Sequence, residues 1–179
     1  MPPHFRQQMT RLLDRLDYDF RAFTLDSFIA WVEKQIERHI LIVERPLPPH
    51  VNGLWISDAE DPYEYLFIAD DLPALQRTHT ILHEVIHIIL NHNTLKVTEA
   101  QLRSLLPMLQ DDSVGLEKLW GTVLLRAYRP NREEQEAEIM AHLIQERLYA
   151  HERLSALTAP STRPHTRAYL QKLGLGHDA

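Results

Sequence analysis

Residues 79–92 read His-Thr-Ile-Leu-His-Glu-Val-Ile-His-Ile-Ile-Leu-Asn-His. This stretch largely decides which fold and which chemistry the sequence predicts. It contains the pattern H-E-x-x-H at positions 83–87, surrounded by apolar residues that recur with the period of a helix. Because residues four apart lie one turn apart on the same face of a helix, His83 and His87 point in the same direction. Two imidazoles in this arrangement can bind one Zn²⁺ ion, while Glu84 projects to the side, where it can act as a general base.

The helix around this pattern is otherwise suited to a protein core, with apolar residues at Ile81, Leu82, Val85, Ile88 and Ile89. Two histidines and a glutamate stand where such a helix would prefer leucine. The alternative interpretation is a core helix whose histidines form local hydrogen bonds. His79 also lies four residues before His83, but Thr80 occupies the position of the base in that pair. We therefore expect His79 to lie at the surface or behind the ligands.

The composition restricts the kind of metal site and the kind of partner. The 179 residues include 11 histidines and no cysteine, so any metal has to be held by histidine and carboxylate side chains. A net charge of −6 argues against a direct nucleic-acid partner. No apolar run reaches the roughly 18 residues that span a bilayer, and the first residues lack the basic region and apolar stretch of a secretory signal, so we expect a cytoplasmic protein without a membrane partner.

The whole pattern predicts one α+β domain over residues 1–179, with a core at about 10–155 and a tail at 156–179. An amphipathic helix is expected over residues 4–17, and Thr24 has the properties of the N-cap of a second helix. Three β-rich runs follow, at residues 40–43, 53–57 and 63–69. They predict a small antiparallel or mixed sheet, and after Pro73 the pattern is helical nearly to the end.

A catalytic zinc site needs a third protein ligand beside water, and the region just after the helix does not supply one in a known pattern. A metzincin-type site would need glycine at position 90 and histidine at position 93. Leu90 and Asn93 stand there instead, and His92 is displaced by one residue. The third ligand must therefore come from further along the chain.

An acidic helix pattern over residues 131–144 offers three candidates for this ligand. Glu133 and Glu134 fall near its apolar stripe, and Glu138 lies at the edge of the stripe. The alternative interpretation is that Asn131 caps the helix and that the acids interact with its positive end. The pattern alone leaves the choice of ligand open.

The H-E-x-x-H helix, together with the pattern E-x-x-A-E-x-x-A at positions 134–141, resembles the ImmA/IrrE family of gluzincin-type metallopeptidases. The resemblance covers roughly residues 10–150. In that family a strand pair precedes the H-E-x-x-H helix, and a later helix carries E-x-x-A-N-x-F-A, with Glu138 and Met140 at its N and F positions here. The resemblance implies a minimal zincin-like domain, in which a small sheet packs on the H-E-x-x-H helix, and it implies Glu134 as the third zinc ligand.

The function that the resemblance implies is a zinc-dependent endopeptidase, with His83, His87 and Glu134 as metal ligands and Glu84 as the catalytic base. The implied substrate is a helix-turn-helix transcriptional repressor, because family members cleave or antagonise such repressors. In zincins a strand beside the helix pairs with the substrate, which here suggests residues 65–69.

Three points stay open in the sequence. The side chain that stabilises the oxyanion could be Tyr128, Tyr149 or His151. The chain could instead be a non-catalytic zincin-like module that sequesters a regulatory partner, in which case replacement of Glu84 by glutamine would leave its function intact. A purely structural helical protein would bind no stoichiometric zinc.

Overall fold

A computed structural model describes residues 3–57, 61–92, 95–97, 123–125 and 132–158, and these residues form an α+β fold. The helices are α1 (Pro3–Leu13), α2 (Leu25–Ile36), α3 (Ala74–Ile89) and α4 (Arg132–Thr158), with a short 3₁₀ helix at Phe20–Ala22. The strands are β1 (His39–Arg45), β2 (Gly53–Ser57), β3 (Tyr63–Ala69), β4 (Leu95–Val97) and β5 (Val123–Leu125). The predicted α+β class is therefore confirmed.

The strands form one mixed sheet in the order β1-β3-β2-β5-β4. The three longer strands are those that the sequence predicts, with β1 parallel and β2 antiparallel to β3. Tyr65 in β3 faces Leu41 on one side and Ile56 on the other. Because both edges of β3 are hydrogen-bonded, the prediction that Tyr65 to Ala69 pairs with a substrate is wrong. Among the described strands, β1 and β4 are the ones at the edges of the sheet.

The first two helices form largely as their sequences predict. Helix α1 ends at Leu13, earlier than the predicted boundary at residue 17. Helix α2 begins after Thr24, whose hydroxyl accepts a hydrogen bond from the Ser27 amide, and the Ser27 hydroxyl accepts one from the Thr24 amide. This capping box satisfies two backbone donors that the helix leaves unpaired.

Helix α3 packs between the sheet and α4, and apolar side chains from all three meet in the core. On α3 the fully buried residues are Ile81, Leu82, Val85 and Ile86, and on α4 they are Ala137, Met140, Ala141 and Ile144. The predicted inward stripe of α4 is thus confirmed. Its two alanines allow α4 to approach α3 closely, because a larger side chain at either position would hold the helices apart.

The segment after α3 differs from its prediction. The helical pattern after Pro73 predicts helix through residues 93–130 as well, yet β4 and β5 lie within them as antiparallel strands. Thr98 and Gln101, whose residue types and spacing are typical of a capping box, lie outside the described residues. None of the helices in the described ranges is long and apolar enough to cross a bilayer.

Candidate metal centre

Two elements that are distant in sequence bring His83, His87 and Glu134 together. The two histidines lie one turn apart on α3, and Glu134 lies in the first turn of α4, which packs against α3. The Nε2 atoms of His83 and His87 are 2.9 Å apart. The Oε2 atom of Glu134 lies 3.3 Å from Nε2 of His83, and its Oε1 atom lies 3.6 Å from Nε2 of His87. The structure therefore brings together the two histidines of the H-E-x-x-H pattern and the glutamate that the family resemblance implies as the third ligand.

These three distances are compatible with the coordination of one metal ion. Zinc binds imidazole nitrogen and carboxylate oxygen at about 2.0–2.2 Å, so two ligand atoms in a tetrahedral site lie roughly 3.3 Å apart. The observed separations of 2.9, 3.3 and 3.6 Å, in which Glu134 presents a different oxygen to each histidine, lie on both sides of that value. The group is also well shielded, with 18%, 1% and 14% of the side chains of His83, His87 and Glu134 exposed. These residues could hold a metal with little rearrangement.

A second group of residues with metal-binding side chains overlaps the first. It consists of His79, His83 and Glu138. The Oε2 atom of Glu138 lies 3.1 Å from Nε2 of His79 and 3.5 Å from Nδ1 of His83. Because 55% of the Glu138 side chain is exposed, against 14% for Glu134, solvent competes more strongly for this group. Exposure thus favours Glu134 over Glu138 as a ligand. Glu138 accepts a hydrogen bond from His79 and lies beside His83, and Glu133 belongs to neither group.

His79 lies beside the three candidate ligands and itself belongs to the second metal-binding group. Its Nδ1 atom lies 2.9 Å from Oε1 of Gln145, and its ring packs edge-to-face on His142. With Glu138 on its other nitrogen, His79 connects α3 to α4 beside the three candidate ligands.

The electrostatics of the site follow from the concentration of carboxylates around His83. Burial acts against its protonated form, but the hydrogen bond to Glu134 and the charges of Glu84, Glu134 and Glu138 outweigh burial and raise the pKa of His83. Burial also acts against ionised Glu138, but His79 and the other nearby histidines lower the pKa of that carboxyl. In the metal-free protein the carboxylates therefore favour a positive charge at the site, and protonation of His83 supplies part of that charge.

Glu84 lies close to the ligands but belongs to neither metal-binding group. It is 8% exposed, and its charge acts on His83. Its carboxylate lies against the start of β2, where a Cβ atom on Gly53 would come within 2.9 Å of Oε1. The same Cβ atom would lie 2.5 Å from Cγ2 of Thr80. The absence of a side chain at position 53 thus makes room for the carboxylate.

His92 is a member of the site that sequence reasoning missed. It is 7% exposed, and its Nδ1 atom lies 2.7 Å from Nδ1 of His87. Its Nε2 atom lies 3.2 Å from Oε2 of Glu136 on α4. The sequence does contain a signal, because Asn91 suits the left-handed residue that ends many helices, and such an ending returns the next residue to the last turn.

The structure does not support Tyr149 or His151 as the side chain that stabilises the oxyanion. Tyr149 and His151 lie on α4, 15 and 17 residues after Glu134 in one continuous helix. At 1.5 Å per residue they are about 22 Å and 25 Å from Glu134 along the helix axis, which is too far to contact a substrate at the ligands. Tyr128 lies outside the described residues.

Comparisons with protein-family models, with curated proteins and with solved structures find no match to this chain. The fold and the site define an α+β protein with groups of His and Glu side chains that could bind a metal ion.

Proposed function

We propose that the chain is a zinc-dependent endopeptidase with a zincin-like fold, in which His83, His87 and Glu134 hold the metal. The observation that carries the proposal is the convergence of these three side chains within 2.9–3.6 Å of one another. The absence of cysteine supports a site of nitrogen and oxygen ligands. Two histidines with one carboxylate are a ligand set used by catalytic zinc in peptidases.

Glu84 is the catalytic base in this proposal. A bound zinc ion would supply Lewis acidity, which acidifies water and polarises the carbonyl of a peptide bond. The Glu84 carboxylate accepts a proton from the attacking water and later delivers it to the leaving amine. Its position supports this role, because the carboxylate is buried beside Gly53 and acts electrostatically on His83 without belonging to either metal-binding group.

For the substrate, we propose a helix-turn-helix transcriptional repressor. The support is the resemblance of the motifs at positions 83–87 and 134–141 to those of the ImmA/IrrE family. The alternative, a zincin-like module that sequesters such a repressor without cleaving it, would use the same fold and the same ligands. The two functions differ only in whether Glu84 is required.

The experiment that tests the proposal is the metal content of purified protein, measured by elemental analysis after reconstitution with zinc. We expect one zinc per chain in the wild type and a loss or strong weakening in Glu134→Ala. Glu133→Ala is the matched control, since it removes the same charge from the adjacent residue and should retain zinc. Glu138→Ala should also retain zinc, although with weaker affinity.

Two results would overturn this assignment. The absence of stoichiometric zinc in the wild type would leave His83 and His87 as core residues and exclude the peptidase. Loss of zinc in Glu138→Ala but not in Glu134→Ala would move the metal to the more exposed group that contains His79.

A further inference from the structure

We propose that His92, supported by Glu136, is a positioning residue that orients the ring of His87 and fixes its proton on Nδ1, so that Nε2 faces the metal. The inference rests on the proposed function, because it takes His87 as a metal ligand. It assigns a role to a buried pair of side chains that the proposed chemistry does not otherwise use.

The first support is the turn that ends α3. Asn91 has a positive φ of 49°, in the left-handed region. The Asn91 amide donates to the Ile88 carbonyl and the His92 amide donates to the His87 carbonyl, both at 3.0 Å. These two bonds define a Schellman motif, in which an apolar contact commonly joins the residue after the turn to the last helical turn. Here a hydrogen bond between two imidazoles takes the place of that contact.

The second support is that the hydrogen bonds have one consistent direction. If Nε2 of His87 binds a metal, its proton must lie on Nδ1, which then donates to Nδ1 of His92 over 2.7 Å. His92 consequently carries its own proton on Nε2 and donates it to Glu136 over 3.2 Å. Arg132 donates to the other oxygen of Glu136 over 2.8 Å. Each donor thus meets an acceptor, and neither histidine needs a positive charge.

The third support is burial, because the chain of hydrogen bonds runs away from the metal ligands between α3 and α4. The side chains of His87, His92 and Glu136 are 1%, 5% and 16% exposed. With its proton on Nε2, His87 would accept from Nδ1 of His92, and the Nε2 lone pair of His92 would then face the Glu136 carboxylate, so that two shielded acceptors would meet with no proton between them. The alternative form of His87, with its proton on Nε2, is therefore disfavoured.

The test is the affinity of metal-free protein for Zn²⁺, measured by competition with a chromophoric chelator. Replacement of a group that orients a metal ligand typically weakens binding about 10- to 100-fold, and we expect a loss of this size in His92→Phe. Glu136→Gln should give a smaller loss, because the amide can still accept from His92. His92→Gln can restore an acceptor for His87 and should recover most of the affinity. His39→Phe, on the exposed side of β1, is the matched control.

The visible spectrum of the Co²⁺-substituted protein gives a second readout, because its intensity reports the geometry of the ligands. We expect His92→Phe to change this spectrum, and we expect circular dichroism to show that the variant is folded. Zinc affinity and a Co²⁺ spectrum equal to those of the wild type in folded His92→Phe would overturn the inference and leave the proposed function intact. Failure of the wild type itself to bind Zn²⁺ would overturn both.

Discussion

At the scale of single residues, replacement of Glu84 should abolish peptidase activity without loss of zinc, whereas replacement of a proposed ligand should weaken zinc binding. Glu84→Gln keeps the size and polarity of the side chain but cannot accept a proton from water. We expect this variant to bind one zinc per chain and to lose peptidase activity by about 10²- to 10⁴-fold, the usual contribution of a general base. The measurement combines elemental analysis with cleavage of a candidate repressor followed by mass spectrometry.

Glu133→Gln is the control for this prediction, since it makes the same chemical change on a neighbouring acid that belongs to neither metal-binding group. If Glu84→Gln retains the biological effect of the wild type on the repressor, the chain is a sequestering module and not a peptidase.

The residue types and their spacing predict the two histidines of the site, but they do not predict His92. The period of a helix and the spacing of His83 and His87 are enough to place both imidazoles on one face. The spacing of His92 does not match a known ligand pattern, so the sequence alone assigns it no role at the site. Its position depends on the left-handed conformation of Asn91, a property of the backbone that spacing along a helix does not express.

At the scale of secondary-structure elements, the contact between β2 and α3 controls the position of the base. Gly53→Ala would place a methyl group 2.5 Å from Thr80 and 2.9 Å from the Glu84 carboxylate. We expect a destabilisation of about 1–3 kcal/mol from overpacking, together with reduced peptidase activity and retained zinc. Denaturant unfolding, metal analysis and a cleavage assay measure the three effects. Asn52→Ala, at the exposed preceding residue, should alter none of them.

The packing of α4 on α3 controls the position of the third ligand in a similar way. Ala141 is fully buried on the inward stripe of α4. Ala141→Leu should push α4 away from α3, cost about 1–3 kcal/mol of stability, and weaken zinc affinity because Glu134 moves away from His83 and His87. Ala150→Leu makes the same change at an exposed position of α4. Undiminished zinc affinity in a folded but destabilised Ala141→Leu would show that Glu134 is not a ligand.

The strands also show which features of the sheet a sequence pattern can predict and which it cannot. The strand runs at 53–57 and 63–69 were predicted with the bounds that the structure has, because alternating or continuous apolar residues between turn-forming residues are typical of strands. The neighbours of each strand were not predictable in the same way. The interior position of β3 follows from its parallel pairing with β1, which depends on contacts between segments distant in sequence. The short strands β4 and β5, of three residues each, are too brief to show a period.

At the scale of the whole molecule, metal binding and folding should be linked, because the proposed ligands connect α3 to α4 across 51 residues of sequence. A ligand that binds only the folded state stabilises it by about 2.7 kcal/mol at 100 times its dissociation constant. The size of this effect should depend on pH. Protons and zinc compete for His83, whose pKa is raised above its ordinary value of 6.5 in the metal-free protein.

The contribution of His83 to stability should therefore depend on pH with opposite signs in the metal-free and the zinc-bound protein. In the metal-free protein, the raised pKa of His83 contributes stability that is fully present below about pH 6.5 and is lost as the pH rises through the pKa of the folded state. The lowered pKa of Glu138 adds stability above its ordinary value of 4.5, which is lost as the pH falls through the folded pKa. Zinc binding instead requires neutral His83, so the increase in melting temperature on zinc addition should be larger at about pH 8 than at about pH 5.5. Differential scanning calorimetry with and without zinc measures this difference, and Glu134→Ala should show little stabilisation by zinc at either pH. A zinc-induced increase that is the same at both values would mean that His83 is not a ligand.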